Sequence, residues 1–159
     1  MAKVSYHLET KGLDQLKKNV KKLHGKSIDW GFLGGTHQGS GLTYASLAST
    51  LELGIPRKIP SRPAFGELIN SLQASNKQLE LVLQKPFSDF VTGDVNTPDR
   101  ILDAAGTHLT SRHKNKMEYW IVSGSKSNDN ADDTIALKGF NQPFVETGEL
   151  VESVDYRKN

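Results

Sequence analysis

The sequence predicts an α+β fold: a single domain in which a small mixed or antiparallel sheet packs against two longer helices. Three observations carry this. Short segments that alternate with period two lie near both ends, at residues 4–8, 28–32 and 154–156. Apolar residues at helical spacing fill the middle, first from Phe65 to Leu83 and again from Ile101 to Leu109. The chain of 159 residues shows no internal repeat or linker, which suits one core.

In order, Val4, Tyr6 and Leu8 alternate with Ser5 and His7 as a strand would. Leu13, Leu16, Val20 and Leu23 fall on one stripe of a short helix, with Lys17, Lys18, Lys21 and Lys22 on the opposite side and Gly25 as its stop. Ile28, Trp30 and Phe32 form the next strand. Residues 34–41, rich in glycine, read as a flexible surface loop. A helix follows from about Leu42, with Tyr44, Leu47, Ala48 and Leu51 inward and Gly54 as its end. Pro56, Pro60 and Pro63 keep the following chain extended, because proline fixes φ and biases the preceding residue away from helix.

Pro63 suits the first turn of a helix, with Ser61 or Arg62 near its cap. Phe65, Ile69, Leu72, Leu79 and Leu83 then define one long amphipathic helix with a polar break at Asn76 and an end at Pro86. Thr97-Pro98 is a second start signal, opening a helix with Ile101, Leu102, Ala105 and Leu109 inward. Residues 118–122 are a candidate strand, and 123–133 a polar, mobile loop. Residues 138–150 read as a turn feeding a capped short helix, before a last strand at Val154 and Tyr156.

Composition excludes several classes. No apolar run approaches the ~20 residues needed to cross a bilayer. The first residues lack the apolar core of a signal peptide, so cytoplasmic synthesis is expected. With no cysteine there are no disulfides and no thiolate metal sites. Net charge is +2, but its distribution is uneven: lysines crowd the first 30 residues and carboxylates the last 33. A basic front and an acidic back suit head-to-tail contact between copies, a basic face towards DNA, or simply two solvated surfaces.

Candidate chemistry is sparse. Gly34 and Gly39 have phosphate-loop spacing, but Ser40 and Gly41 follow where that loop needs a lysine and a hydroxyl. His108 and His113 are five apart, which separates them by roughly 140° on a helix and prevents shared ligation. The histidines therefore read as surface or helix-end residues. Ser111 and Lys114 fit S-x-x-K without its companion motif. Asp132/Asp133 and Glu149/Glu152 are carboxylate pairs without an apolar shell to raise a pKa. The lysines of the first helix lack interleaved aromatics, so at most they contact DNA non-specifically. No catalytic residue, metal or cofactor is expected.

Three groups of residues, taken in order, resemble one family. Residues 28–33, the glycine-rich loop and Ala48-x-x-x-Glu52-Leu53-Gly54 come first. Ile59-Pro60-x-Arg62-Pro63 follows, with Ala64 inserted before Phe65. Thr134-Ile135-x-x-Lys138-Gly139 and Pro143-x-x-x-Thr147-Gly148-x-Leu150, then Ser153 and Tyr156, close the series. Together they are similar to the tail-completion or head–tail joining (neck) proteins of tailed bacteriophages, siphoviruses among them, over about residues 27–157. Phe144 stands where that family has leucine, and Glu146 where it has aspartate.

The resemblance implies a non-enzymatic virion protein, made in the host cytoplasm and placed at the head–tail interface or the upper end of the tail. It also implies a ring homo-oligomer, commonly a hexamer around the DNA channel. Its partners would be neck or head-completion proteins and tail-tube or tail-terminator proteins, with no membrane. A tail terminator capping the tube is a close alternative. From other classes come a phosphate- or nucleotide-binding protein using residues 34–41, and a DNA-binding accessory protein using Lys17 to Lys22. The motif residues also have a direct physical reading. Residues 59–63 form a rigid arm, and Arg62 presents a planar fork to a carboxylate of its own chain or a neighbour. Thr147 caps the final helix, and Gly148 permits close backbone approach.

Overall fold

Alternation of Ile28, Trp30 and Phe32 does produce a strand, β1 (Ile28–Phe32), and its partner is the last strand, β2 (Val154–Lys158). They pair antiparallel, with Trp30 opposite Tyr156 and Phe32 opposite Val154. The structure, a computed structural model, describes residues 11–122, 132, 135, 136, 139 and 148–159. The expected strand at 4–8 and the expected loop at 123–133, but for Asp132, lie outside these residues.

Helices make up the rest of the described α+β fold: α1 (Lys11–Leu23), α2 (Tyr44–Leu53), α3 (Ala64–Ala74), α4 (Lys77–Thr92), α5 (Asp99–Val122) and α6 (Glu149–Glu152). None is long and apolar enough to cross a membrane. The central element is α5, which packs on α3, α4, α6 and both strands. Ala64, Met117, Leu150, Val151 and Val154 form one buried cluster, with Phe32, Tyr44, Leu47, Ala48 and Leu51 packed against it. Leu68, Phe90, Ile101 and Leu109 are buried further along α5 and its helical neighbours.

Several expectations are corrected. The long helix from Phe65 to Leu83 is two helices, because Ser75 is extended (φ −161°, ψ 121°) and interrupts the hydrogen-bond ladder between α3 and α4. Pro86 does not end α4, which runs on to Thr92 and stops at Gly93 in the left-handed region (φ 89°). Burial of Phe90, fully inaccessible four residues later, outweighs the lost N–H of the proline. Residues 118–122 continue α5 as helix and are not a strand. β-Branched and aromatic residues at the end of an established helix follow the helix, since elongation is easier than starting a new strand.

On α1 the expected apolar stripe is half exposed: Leu13 is 52% and Val20 49% accessible. The buried residue there is Asn19, which donates to the Phe90 carbonyl at 2.8 Å and accepts from Gln15 at 3.0 Å. α1 leans on α4 through this polar contact, so helical spacing alone misjudged its inner face. The chain after α2 is not simply extended either. Ile55 and Ile59 exchange backbone hydrogen bonds of 2.7 and 2.9 Å, closing a tight turn with Arg57 left-handed at φ 63°.

Candidate functional site

Two of the motif segments meet where α2 gives way to α3. Gly54 ends α2 with φ 72°, and a Cβ there would sit 2.7 Å from both the Ile59 carbonyl and the Ser61 nitrogen. Only glycine lets the 55–59 turn fold back this closely. The returning strand is then stitched to α2: the Arg62 N–H donates to the Leu51 carbonyl at 2.9 Å, and Ser61 Oγ donates to the Glu52 carbonyl at 2.7 Å. Ile59 and Pro60 are half-buried in this segment.

Glu52 is the fastener. Its Oε1 accepts the Gly66 N–H at 2.7 Å and its Oε2 the Phe65 N–H at 3.1 Å. These are free donors of the first turn of α3, where a negative charge also opposes the helix dipole. The helix begins at Ala64 with Pro63 in the cap position, so the capping group comes from α2 and not from Ser61 or Arg62 as the sequence suggested. Replacing Glu52 with alanine is expected to cost about 1–2 kcal/mol, since it strips both donors of their partner. Glu52→Gln should recover part of that loss. Urea midpoints of the two variants check it, and an unchanged midpoint for Glu52→Ala would exclude this cap.

Arg62 is 2% accessible and engaged within the chain, which fits the own-chain alternative and leaves no exposed fork for a neighbour. Phe65, 36% accessible, rests against Trp30 (ring centroids 5.6 Å) and His113 (5.1 Å). Leu150 belongs to the same buried cluster as Ala64, the first residue of α3, so the closing motif meets the α2–α3 junction. Tyr44 adds a polar tie by donating its hydroxyl to Glu149 Oε2 at 3.0 Å.

Gly148 holds the cap position of α6, with φ 82° and no side-chain hydrogen bond. Thr147, Lys138 and Pro143 lie outside the described residues. Gly139 is exposed, with φ 77°, and donates its N–H to the Ile135 carbonyl at 2.8 Å. On α1, Lys17, Lys18, Lys21 and Lys22 are all exposed, and Lys22 reaches the Asn96 carbonyl at 2.9 Å.

Residues 34–41 have internal bonds. The N–H groups of His37, Ser40, Gly41 and Leu42 donate to the Leu42 carbonyl, His37 Nδ1, the His37 carbonyl and Ser40 Oγ. A phosphate-binding loop keeps such donors pointing at its ligand. Of the S-x-x-K pair, Lys114 turns to the Glu152 carbonyl and carboxylate at 3.2 and 3.4 Å. Among the described residues no three His, Asp or Glu side chains cluster as metal ligands.

Two histidines correct the surface expectation: His37 is 7% accessible and His113 only 1%. Burial holds the His113 imidazole down to about 4. The expected inward face of α5 ends at Leu109, one turn short of this residue. Continued by fours, the series Ile101, Ala105, Leu109 runs through His113 to Met117. No protein-family profile matches the chain, and no curated protein or solved structure matches it.

Proposed function

We propose that this chain is a non-enzymatic assembly component of tailed-phage virions, of the tail-completion or head–tail joining kind, acting as a ring of copies. One observation supports it most. Residues of the first two motif groups act as caps, turns and packing contacts at one junction, and Leu150 of the closing group packs against it. Glu52, Gly54 and Arg62 shape the α2–α3 corner, and Leu150 docks on its inner side. A part that must fit neighbours needs a corner of fixed angle more than it needs a reactive group.

The same corner presents Leu53, 76% accessible, and Ile55, 40% accessible, beside exposed Arg57 and Lys58. An apolar pair ringed by charge is what a repeated head-to-tail contact uses. Leu53→Glu is therefore expected to shift the native mass from ring to monomer while leaving the circular dichroism of the folded chain unchanged.

The direct test pairs the native mass of the purified chain with micrographs of virions from a deletion mutant of the phage encoding it. Separate filled heads and finished tails are the expected result. Joined particles with tails of irregular length would turn the reading to a tail terminator. Normal virions would overturn both.

A further inference from the structure

A polar cleft of about 450 Å³ lies where α3, α4 and α5 meet. Ser71 of α3, Gln78 of α4, and Arg112, Asn115, Lys116 and Tyr119 of α5 line it. Residues 112, 115, 116 and 119 follow the three- and four-residue spacing of a single helix face, so α5 presents them together. The lining holds two cations and two amides, and no carboxylate among the described residues.

The two cations are not equally satisfied. Lys116 pairs with Glu67 at 2.6 Å and stands 5.4 Å from the centre of the Tyr119 ring. Arg112 is half-buried, and its hydrogen bond among the described residues runs from Nη2 to Ser71 Oγ at 3.0 Å. Ser71 gives its own proton to the Leu68 carbonyl at 2.8 Å, so its oxygen is a fixed, neutral acceptor. It orients the guanidinium without neutralising it. Arg112 has no ion pair among the described residues.

Two cations one turn apart on a helix repel, and here one of them has a counter-charge. The excess charge is felt a turn earlier, where His108 is held below 6.5 by burial first and by Arg112 second. A half-buried guanidinium that is positioned but not neutralised favours an anion from outside. A carboxylate would use the fork alone. A phosphate group, with three terminal oxygens, also has acceptors for Asn115, Gln78 and Lys116. The volume falls in the roughly 300–1,000 Å³ range of organic ligand sites, and the Tyr119 ring gives an apolar wall beside the donors.

We propose that this cleft binds a phosphate group, free or on a small organic ester, with the Arg112 fork as its main contact. Asn115, Gln78 and Lys116 supply the remaining donors, and the organic part of an ester rests on Tyr119. This goes beyond the assembly reading and does not depend on it. It also uses none of residues 34–41.

The test titrates the full chain into inorganic phosphate or phenyl phosphate at low ionic strength and follows the phosphorus NMR signal. Saturable binding with Kd of about 1 mM or tighter is expected for at least one of them. Tighter binding of phenyl phosphate supports an ester as occupant, and equal binding supports the free ion. Benzoate, a carboxylate with the same ring, should bind at least ~10-fold more weakly than phenyl phosphate.

Arg112→Gln should weaken binding at least ~10-fold. Gln78→Glu should do the same by placing a carboxylate in the cleft. Gln78 is exposed in the first turn of α4, where a negative charge is favoured, so this variant checks the site even where Arg112→Gln misfolds. Lys17→Gln removes one charge from α1 and should leave Kd unchanged. No saturation by either probe up to ~10 mM would overturn the proposal. So would benzoate binding as tightly as phenyl phosphate, unchanged Kd in Gln78→Glu, or Lys17→Gln weakening binding as much as Arg112→Gln, which would leave only attraction to net charge.

Discussion

Acidification from pH 7 to pH 4 is expected to remove about 3 kcal/mol of folding stability through His113 alone. The imidazole is 1% accessible between the rings of Phe32 and Phe65, and burial lowers its pKa from the ordinary 6.5 to about 4. Between those two values the unfolded chain binds a proton that the folded chain refuses. Stability therefore rises with pH across this window: it is fully present above 6.5 and is lost as pH falls towards 4. His108 is lowered in the same direction, by burial first and the nearby Arg112 second, and steepens the slope.

Two aspartates act mainly below this window. Asp29, hydrogen-bonded by Arg157, and Asp99, hydrogen-bonded by Thr97, are both held below the usual 3.8, so their contribution disappears only in stronger acid. Urea unfolding at pH 7, 6, 5 and 4 gives the slope directly. His113→Phe, set among aromatic neighbours, should flatten most of it. A His113 resonance titrating near 6.5, or a His113→Phe variant with the original slope, would show that the ring is hydrated.

That histidine also marks where the sequence stops being legible. Elements bounded by local chemistry were readable. The alternation of β1 and Gly54 at the end of α2 depend on neighbours within a few residues, as does the Thr97-Pro98 start of α5. Features decided by distant partners were not. Asn19 is buried because the Phe90 carbonyl lies opposite, 71 residues away, and nothing in α1 announces it. The cap of α3 comes from Glu52 on another helix, so a search of the residues next to Pro63 finds only Ser61 and Arg62.

The motif series includes Glu52, Gly54 and Arg62, which lie within eleven residues of one another. Which atoms join them was not legible, because a carboxylate thirteen residues upstream of its N–H partner leaves no periodic trace. Residues 118–122 misled for the opposite reason, since their strand preference is real and the preceding helix overrides it.

Gly106→Ala is expected to destabilise the fold by about 2–3 kcal/mol, although the same change in an exposed helix would stabilise it by about 1 kcal/mol. Gly106 is buried in the interior of α5, and a Cβ built on it would overlap the ring of Tyr156 on β2. The ring has little freedom to yield. Its hydroxyl donates to Asp103 at 3.1 Å, its backbone pairs with Trp30, and its neighbour Lys158 is tied to Asp103 at 2.9 Å and Asp99 at 3.5 Å. Relief must come from separating β2 from α5, and β2 is the only partner of β1 among the described residues.

A double-mutant cycle isolates the clash from the helix preference. Tyr156→Ala alone removes the ring and its Asp103 bond and is itself destabilising. In that background Gly106→Ala meets open space and should recover its ordinary helix-forming benefit. The two changes should then couple favourably by about 3–4 kcal/mol. Chemical denaturation of the four proteins measures it. If Gly106→Ala instead raises the midpoint in the parent, α5 and β2 stand further apart than described, and the glycine is there for another reason.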